Sequence, residues 1–218
     1  MTDIASIANA FLLVYAGLFP IVNPVGSAPI FLRLTQGAAA DRPFLAGKVA
    51  VNSFLLLLGS LIVGSHLLEF FGITLPIVRV AGGMVVAAFG WQLLHAREEL
   101  EDQRAATAHQ PGAPVDSFYP LTMPLTVGPG SISVAITLGS QRPSVPSDVM
   151  ALVVLAAGAV AGLAAIAATI YVCFRFASGV VAVLGQRGTQ VVMRLSAFIL
   201  FCIGIQIIWN GYVALTGS

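Results

Sequence analysis

The sequence predicts an all-α membrane protein of about six transmembrane helices, arranged as two inverted three-helix repeats with broken first helices. Three observations lead there: charge too sparse for water, apolar runs of spanning length, and two matching clusters of proline and glycine. Of the 218 residues, 58% are hydrophobic and 9% are charged, and the mean hydropathy is +0.95. Soluble domains carry roughly a quarter charged residues, so lipid is the expected solvent for most of this chain. The net charge of +1 comes with no basic tract, which leaves nothing for nucleic acid to bind. Cys173 and Cys202 lack CxxC spacing and read as small apolar residues, not redox or metal groups. The opening Met-Thr-Asp-Ile has no basic stretch, so the first apolar run is expected to be a span and not a cleaved signal.

A spanning helix needs about 20 apolar residues. Such runs fall at residues 4–22, 44–66, 75–95, 118–138, 149–174 and 191–215. They divide the chain into a first three-span repeat (1–96), an acidic linker (97–117) and a second three-span repeat (118–218). The linker carries Glu98, Glu99, Glu101 and Asp102, then Pro111 and Pro114, and is expected to be solvated. Loops after spans 1, 3 and 5 hold Arg33, Arg42, Lys48, Arg97, Arg104, Arg175, Arg187 and Arg194, against Arg79 and Arg142 opposite. Positive residues favour the cytoplasmic side. Both termini are therefore expected outside, in a multi-pass protein of the cell (inner) membrane.

The halves carry the same cues in the same order. Phe19-Pro20 is followed by Pro24 and then Gly26-Ser27, while Tyr119-Pro120 is followed by Pro124 and then Gly130-Ser131. Span 3 holds Arg79, Gly82, Gly83 and Gln92, and span 6 holds Arg194, Gly204 and Gln206. Three is an odd number, so a repeated half must enter the membrane from the other side. That is the inverted-repeat logic of many secondary transporters.

Proline removes a helical hydrogen bond and clashes with the preceding turn. Asn23-Pro24-Val25-Gly26 and Gly128-Pro129-Gly130 should therefore break their helices. Broken backbone is tolerated at membrane depth only where protein buries it or a wet cavity receives it. A central site at the breaks follows, with N–H donors expected from Gly26, Ser27, Gly130 and Ser131. Asn23, Thr122 and Thr126 could add side-chain oxygens, and Pro24, Gly128 and Pro129 shape the backbone around them. Threonine in a span also often bonds back to its own helix. Asn52 either reaches the breaks or bridges two helices. Gln92 and Gln206 read as interhelical hydrogen-bonding residues, and Gly158, Ala161 and Gly162 as a close-packing face within the chain or between copies.

Asn23-Pro24-Val25-Gly26-Ser27-Ala28-Pro29-Ile30-Phe31-Leu32 with Leu34-Thr35, then Pro124-Leu125-Thr126-Val127-Gly128-Pro129-Gly130-Ser131-Ile132, and Arg79-Val80-Ala81-Gly82-Gly83 resemble the motifs of the MarC family of membrane proteins. The resemblance covers nearly the whole chain. It implies a transporter or exporter of a small polar solute, with small neutral amino acids such as alanine and glycine the first candidates. For such a solute, the residues gathered by the two breaks make the expected site Asn23, Pro24, Gly26, Ser27, Asn52, Thr122, Thr126, Gly128, Pro129, Gly130 and Ser131. No catalytic residue, metal or cofactor is expected, and coupling to Na+ or H+ stays open. Asp3, Asp41, Glu69, Asp116 and Asp148 all fall near span ends, which disfavours a buried carboxylate relay. The expected partners are a small solute and the bilayer, with a homo-oligomer open. The alternatives are a membrane redox protein or a structural or assembly protein without a substrate.

Overall fold

A computed structural model of the chain describes residues 2–95, 116–140 and 149–217. The acidic linker lies almost wholly outside the described residues, as do Arg97, Arg104, Arg142 and Asp148. Among the described residues the regular structure is entirely helical. The main helices are α1 (Thr2–Val22), α2 (Pro24–Leu34), α3 (Arg42–Phe70), α4 (Leu75–His95), α5 (Pro129–Ser140), α6 (Val149–Arg175) and α7 (Ala177–Thr216). Five helices are long and apolar enough to cross a membrane. A sixth crossing arises if Ser117–Thr126 and Pro129–Gly139, bent by 70°, count as one span.

Helix boundaries follow local chemistry. Pro43 stands in the first turn of α3, where its missing N–H costs no helical bond. Gly72 then adopts φ 64° just past α3, a left-handed stop that suits glycine. The Ile73 N–H reaches back to the Leu68 carbonyl at 2.9 Å and closes that end. Gly185, at φ 64° and ψ 176°, interrupts α7 ahead of its apolar stretch Arg194–Thr216.

In lipid, apolar side chains gain little by leaving the solvent, so close backbone approach holds helices together. Glycines supply that approach here. Along the antiparallel α4–α7 seam, Gly83 meets Gly204 and Ile208, Gly90 meets Ala197 and Phe201, and Gly211 meets Pro76 and Val80. Along the parallel α1–α6 seam, Gly158 meets Ile7 and Ala10, while Gly162 meets Phe11 and Val14. The small residues of span 5 thus serve a contact inside the chain. Tyr15 and Thr169 add a hydroxyl pair at 3.2 Å in the same seam. The buried rings of Phe31 and Phe174 stack at 4.4 Å and fasten α2 to α6. On the far side, α3 packs against both α5 and α6.

Two features differ from the sequence-based expectation. The first break falls at the end of the apolar stretch Ile4–Val22, which is by itself long and apolar enough to cross a membrane, and α2 follows it. Asn23 alone makes the joint, in the left-handed region at φ 45° and ψ 58°. The second difference is Gln206, which makes no interhelical bond among the described residues. Its Nε2–H donates instead to Asn210 Oδ1 of the same helix at 2.9 Å, on an exposed face. Gln92 is exposed as well.

Asn23 is suited to its joint twice over: asparagine tolerates left-handed backbone, and its Oδ1 caps α2 by accepting the Gly26 N–H at 3.2 Å. Asn23→Gly is expected to keep the backbone freedom and lose only the cap, a few tenths of a kcal/mol. Asn23→Ala should lose both, about 2 kcal/mol. Thermal unfolding in detergent checks the order wild type, glycine, alanine.

Candidate functional site

The two breaks face one another across a pair of adjoining clefts. One is lined by Ile21, Val22, Asn23, Gly26, Ser27, Ile30, Phe89 and Leu125. The other is lined on the opposite side by Pro124, Thr126, Gly128, Pro129, Gly130 and Ser131, with Val85, Val86 and Leu200. Ile21, Phe89 and Leu125 border both. With their open mouths included, they enclose about 460 and 490 Å³. No charged side chain lines either one.

The backbone chemistry of the two sides differs in how the helix start is capped. At the first break, Asn23 covers the donors nearest the cleft: Gly26 N–H goes to its side chain and Ser27 N–H to its carbonyl at 3.0 Å, while Val25, which holds the remaining first-turn N–H of α2, lines neither cleft. Pro24 has no N–H, so the Pro20 carbonyl lacks the donor that a continuous helix would give it. Gly26 N–H is diverted in the same way from the Val22 carbonyl. What α1 offers at this break is therefore the acceptor-rich, negative end of its dipole. The expectation that Gly26 and Ser27 supply N–H groups is corrected on this geometry. The Ser27 hydroxyl, in a residue 7% exposed, has no hydrogen-bond partner among the described residues and borders the cleft.

The second break does supply donors. Gly128 precedes α5 and has no side chain to cap it, while its carbonyl accepts the first helical bond, from Ile132 N–H at 3.1 Å. Pro129 fills the first helical position, and Gly130 and Ser131 follow with N–H groups that have no intrahelical acceptor. The Ser131 hydroxyl donates to the Gly128 carbonyl at 2.9 Å and leaves its own N–H uncovered.

Ser117–Thr126 leads into this break as an irregular run of wide turns. Its sequence is a tandem Pro-Leu-Thr, and Tyr119 and Met123 are extended in register with it. The peptide bonds before Pro120 and Pro124 are cis. Thr122 Oγ1 donates to the Ser117 carbonyl at 2.7 Å, and Thr126 Oγ1 to the Leu121 carbonyl at 2.8 Å. Both hydroxyl protons are thus spent within the segment, though their lone pairs remain. Val127 N–H closes the run on the Thr122 carbonyl at 2.8 Å.

Of the residues singled out from sequence, Asn23, Gly26, Ser27, Thr126, Gly128, Pro129, Gly130 and Ser131 come together around the clefts. Pro24, Asn52 and Thr122 do not border them. Asn52 does reach the second broken segment, with Nδ2 placed 3.5 Å from Thr122 Oγ1, a long contact. Sequence reasoning missed Phe89, Ile21 and Leu125, which join the two clefts. Nothing local marks Phe89, which is brought in by the packing of α4 against α5. The Asn23/Gly128 contrast was readable: one break has a capping side chain before its proline and the other has glycine.

Apolar spans joined by broken helices around an uncharged cleft define a polytopic integral membrane protein. The chain belongs to the MarC family: the family model for "MarC family integral membrane protein" matches residues 8–216. It is similar to the membrane protein YvbG of Bacillus subtilis, 30% identical over 201 residues covering 91% of this chain and 92% of that one. It is also similar to the inner membrane protein MarC of Salmonella typhimurium, 30% identical over 89% of this chain and 90% of the relative. A membrane protein of Archaeoglobus fulgidus is 28% identical over 96% and 95% of the two chains. No solved structure matches.

Proposed function

We propose that the chain is a secondary transporter of a small zwitterionic solute, with small neutral amino acids the leading class, held between the two breaks. One observation carries this reading: the clefts are bordered by the last residues of α1, its acceptor end, on one side and by the first residues of α5, its donor end, on the other. A zwitterion has the complementary pattern, an ammonium for the α1 carbonyl end and a carboxylate for the Gly130 and Ser131 N–H groups. A small side chain, or none, would lie against Val86, Phe89 and Leu125.

We further propose that the halves are inverted repeats that rock about this site. The packing supports it: exchanging the halves maps α2 on α7 onto α5 on α4, and α1 on α6 onto the fourth span on α3, each a packed pair. The same exchange maps the α4–α7 and α3–α6 pairs onto themselves. For orientation, Gly47 stands against the Tyr171 ring, bringing the start of α3 alongside the end of α6. Lys48 and Arg175 then share one end of the bundle, the proposed cytoplasmic one.

Counterflow of labelled alanine and glycine in proteoliposomes tests the function. Exchange saturable by unlabelled alanine is expected. Neither exchange nor a ligand-induced rise in melting temperature, across a panel of neutral amino acids, would remove this solute class.

A further inference from the structure

The second polar feature in the spans lies away from the clefts. The apolar stretch Arg194–Thr216 has its midpoint at Ile205, so Gln206 stands at the centre of a crossing. Both Gln206 and Asn210 are exposed there, and their only bond among the described residues is to one another. That bond uses one Gln206 N–H and accepts at Asn210 Oδ1. The Gln206 carbonyl, its second N–H and both Asn210 N–H groups are left facing outward. Hydrocarbon offers them no partner, and unpaired amides in lipid are costly. Gln206 is also too far from either end of the crossing for its short side chain to reach the headgroups.

We propose that the Cys202–Gln206–Asn210 face of α7 is the contact surface of a homodimer of this chain, closed by reciprocal carboxamide hydrogen bonds. The occupant follows from the chemistry. A carboxamide carries both donor and acceptor, so two copies of one amide satisfy each other without a second kind of group. Copies inserted with the same orientation share a two-fold axis along the membrane normal, which sets two α7 helices side by side and parallel. Each residue of the seam then meets its own counterpart, Gln206 with Gln206 and Asn210 with Asn210. A buried polar pair of this kind also fixes register between parallel helices. Exposed Phe198, Ile205 and Trp209 flank the amides and supply apolar packing. Cys202, exposed and one turn before Gln206, falls on the same face and must approach its own copy.

The native cysteines make the test direct. Membranes containing the full chain are treated with a short bismaleimide and run on a denaturing gel. A band at twice the 22.6 kDa chain mass is expected, lost in Cys202→Ser and kept in Cys173→Ser. Gln206→Leu/Asn210→Leu should lower its yield about tenfold at the same protein-to-lipid ratio. Leucine suits a lipid-facing position, and an unchanged melting temperature in detergent shows that the variant is folded. Should it not fold, Ile205→Trp decides, since it crowds the same seam with both amides intact and should also lower the yield. No doubled band in wild-type membranes, a band of another mass, or a yield unaffected in the folded seam variant would each overturn the homodimer.

Discussion

Gly130→Leu is expected to reduce alanine counterflow at least a hundredfold while the protein still folds. A Cβ built on Gly130 comes 2.7 Å from Val86 Cγ2, with the Val86 Cα and Cβ beyond 3.6 Å. The first obstacle is thus a side chain and not backbone, but Val86 is buried and β-branched, so turning it off its preferred helical rotamer costs about 1–3 kcal/mol. Gly130 and Val86 both line the cleft, so the remainder of the leucine is expected to enter it. There it covers the α5 N–H groups on which the carboxylate is proposed to rest. Gly130→Ala serves as the companion: the same valine must turn, but the cleft stays open and both N–H groups survive. A small loss with alanine and near-complete loss with leucine, at similar melting temperatures, would locate the effect in the cleft. Equal counterflow in wild type and Gly130→Leu would mean that no solute uses this space.

Gly204→Leu is expected to damage the fold itself. Its Cβ would lie 2.7 Å from Ala87 Cα, with the Ala87 backbone nitrogen closer still. Backbone cannot turn aside as a side chain does, so α4 and α7 must separate along the seam. A cost of about 3 kcal/mol or more follows, which lowers the melting temperature by roughly 6–12 °C in a chain of this size. Gly59→Leu is the matched control. Nothing lies within 4 Å of its Cβ, and its effect should stay within about 0.5 kcal/mol. Melting of both variants in detergent reads the difference, and equal melting temperatures would refute the seam as the principal α4–α7 contact.

Residue chemistry made part of this architecture readable in advance. Composition and run length were enough for the five apolar helices of spanning length and for the bent pair in the fourth position, because lipid leaves so few choices. Proline and glycine marked both breaks to within a few residues. The asymmetry of the breaks was present in Asn23 and Gly128, but weighing it needs the rule that only the former can cap. The wide turns of Ser117–Thr126 were hidden, although the repeated Pro-Leu-Thr was visible. Nothing local says that each threonine will reach five residues back instead of four. Gly83, Gly90, Gly204 and Gly211 could be seen as small residues at seven-residue spacing, yet spacing does not name the partner helix. Phe89 was least legible of all, since an aromatic residue in an apolar span looks like any other lipid-facing side chain until its neighbours are placed.

The uncharged lining of the clefts has an electrical consequence. A formal charge crossing the membrane couples to its voltage by about 2.3 kcal/mol per 100 mV, whereas a zwitterion seated between opposed helix ends adds none. With no ionised side chain on the lining to move with it, a cycle carrying only such a solute would produce no current. Any current recorded during transport would therefore count the ions that travel alongside, and its reversal potential would identify them.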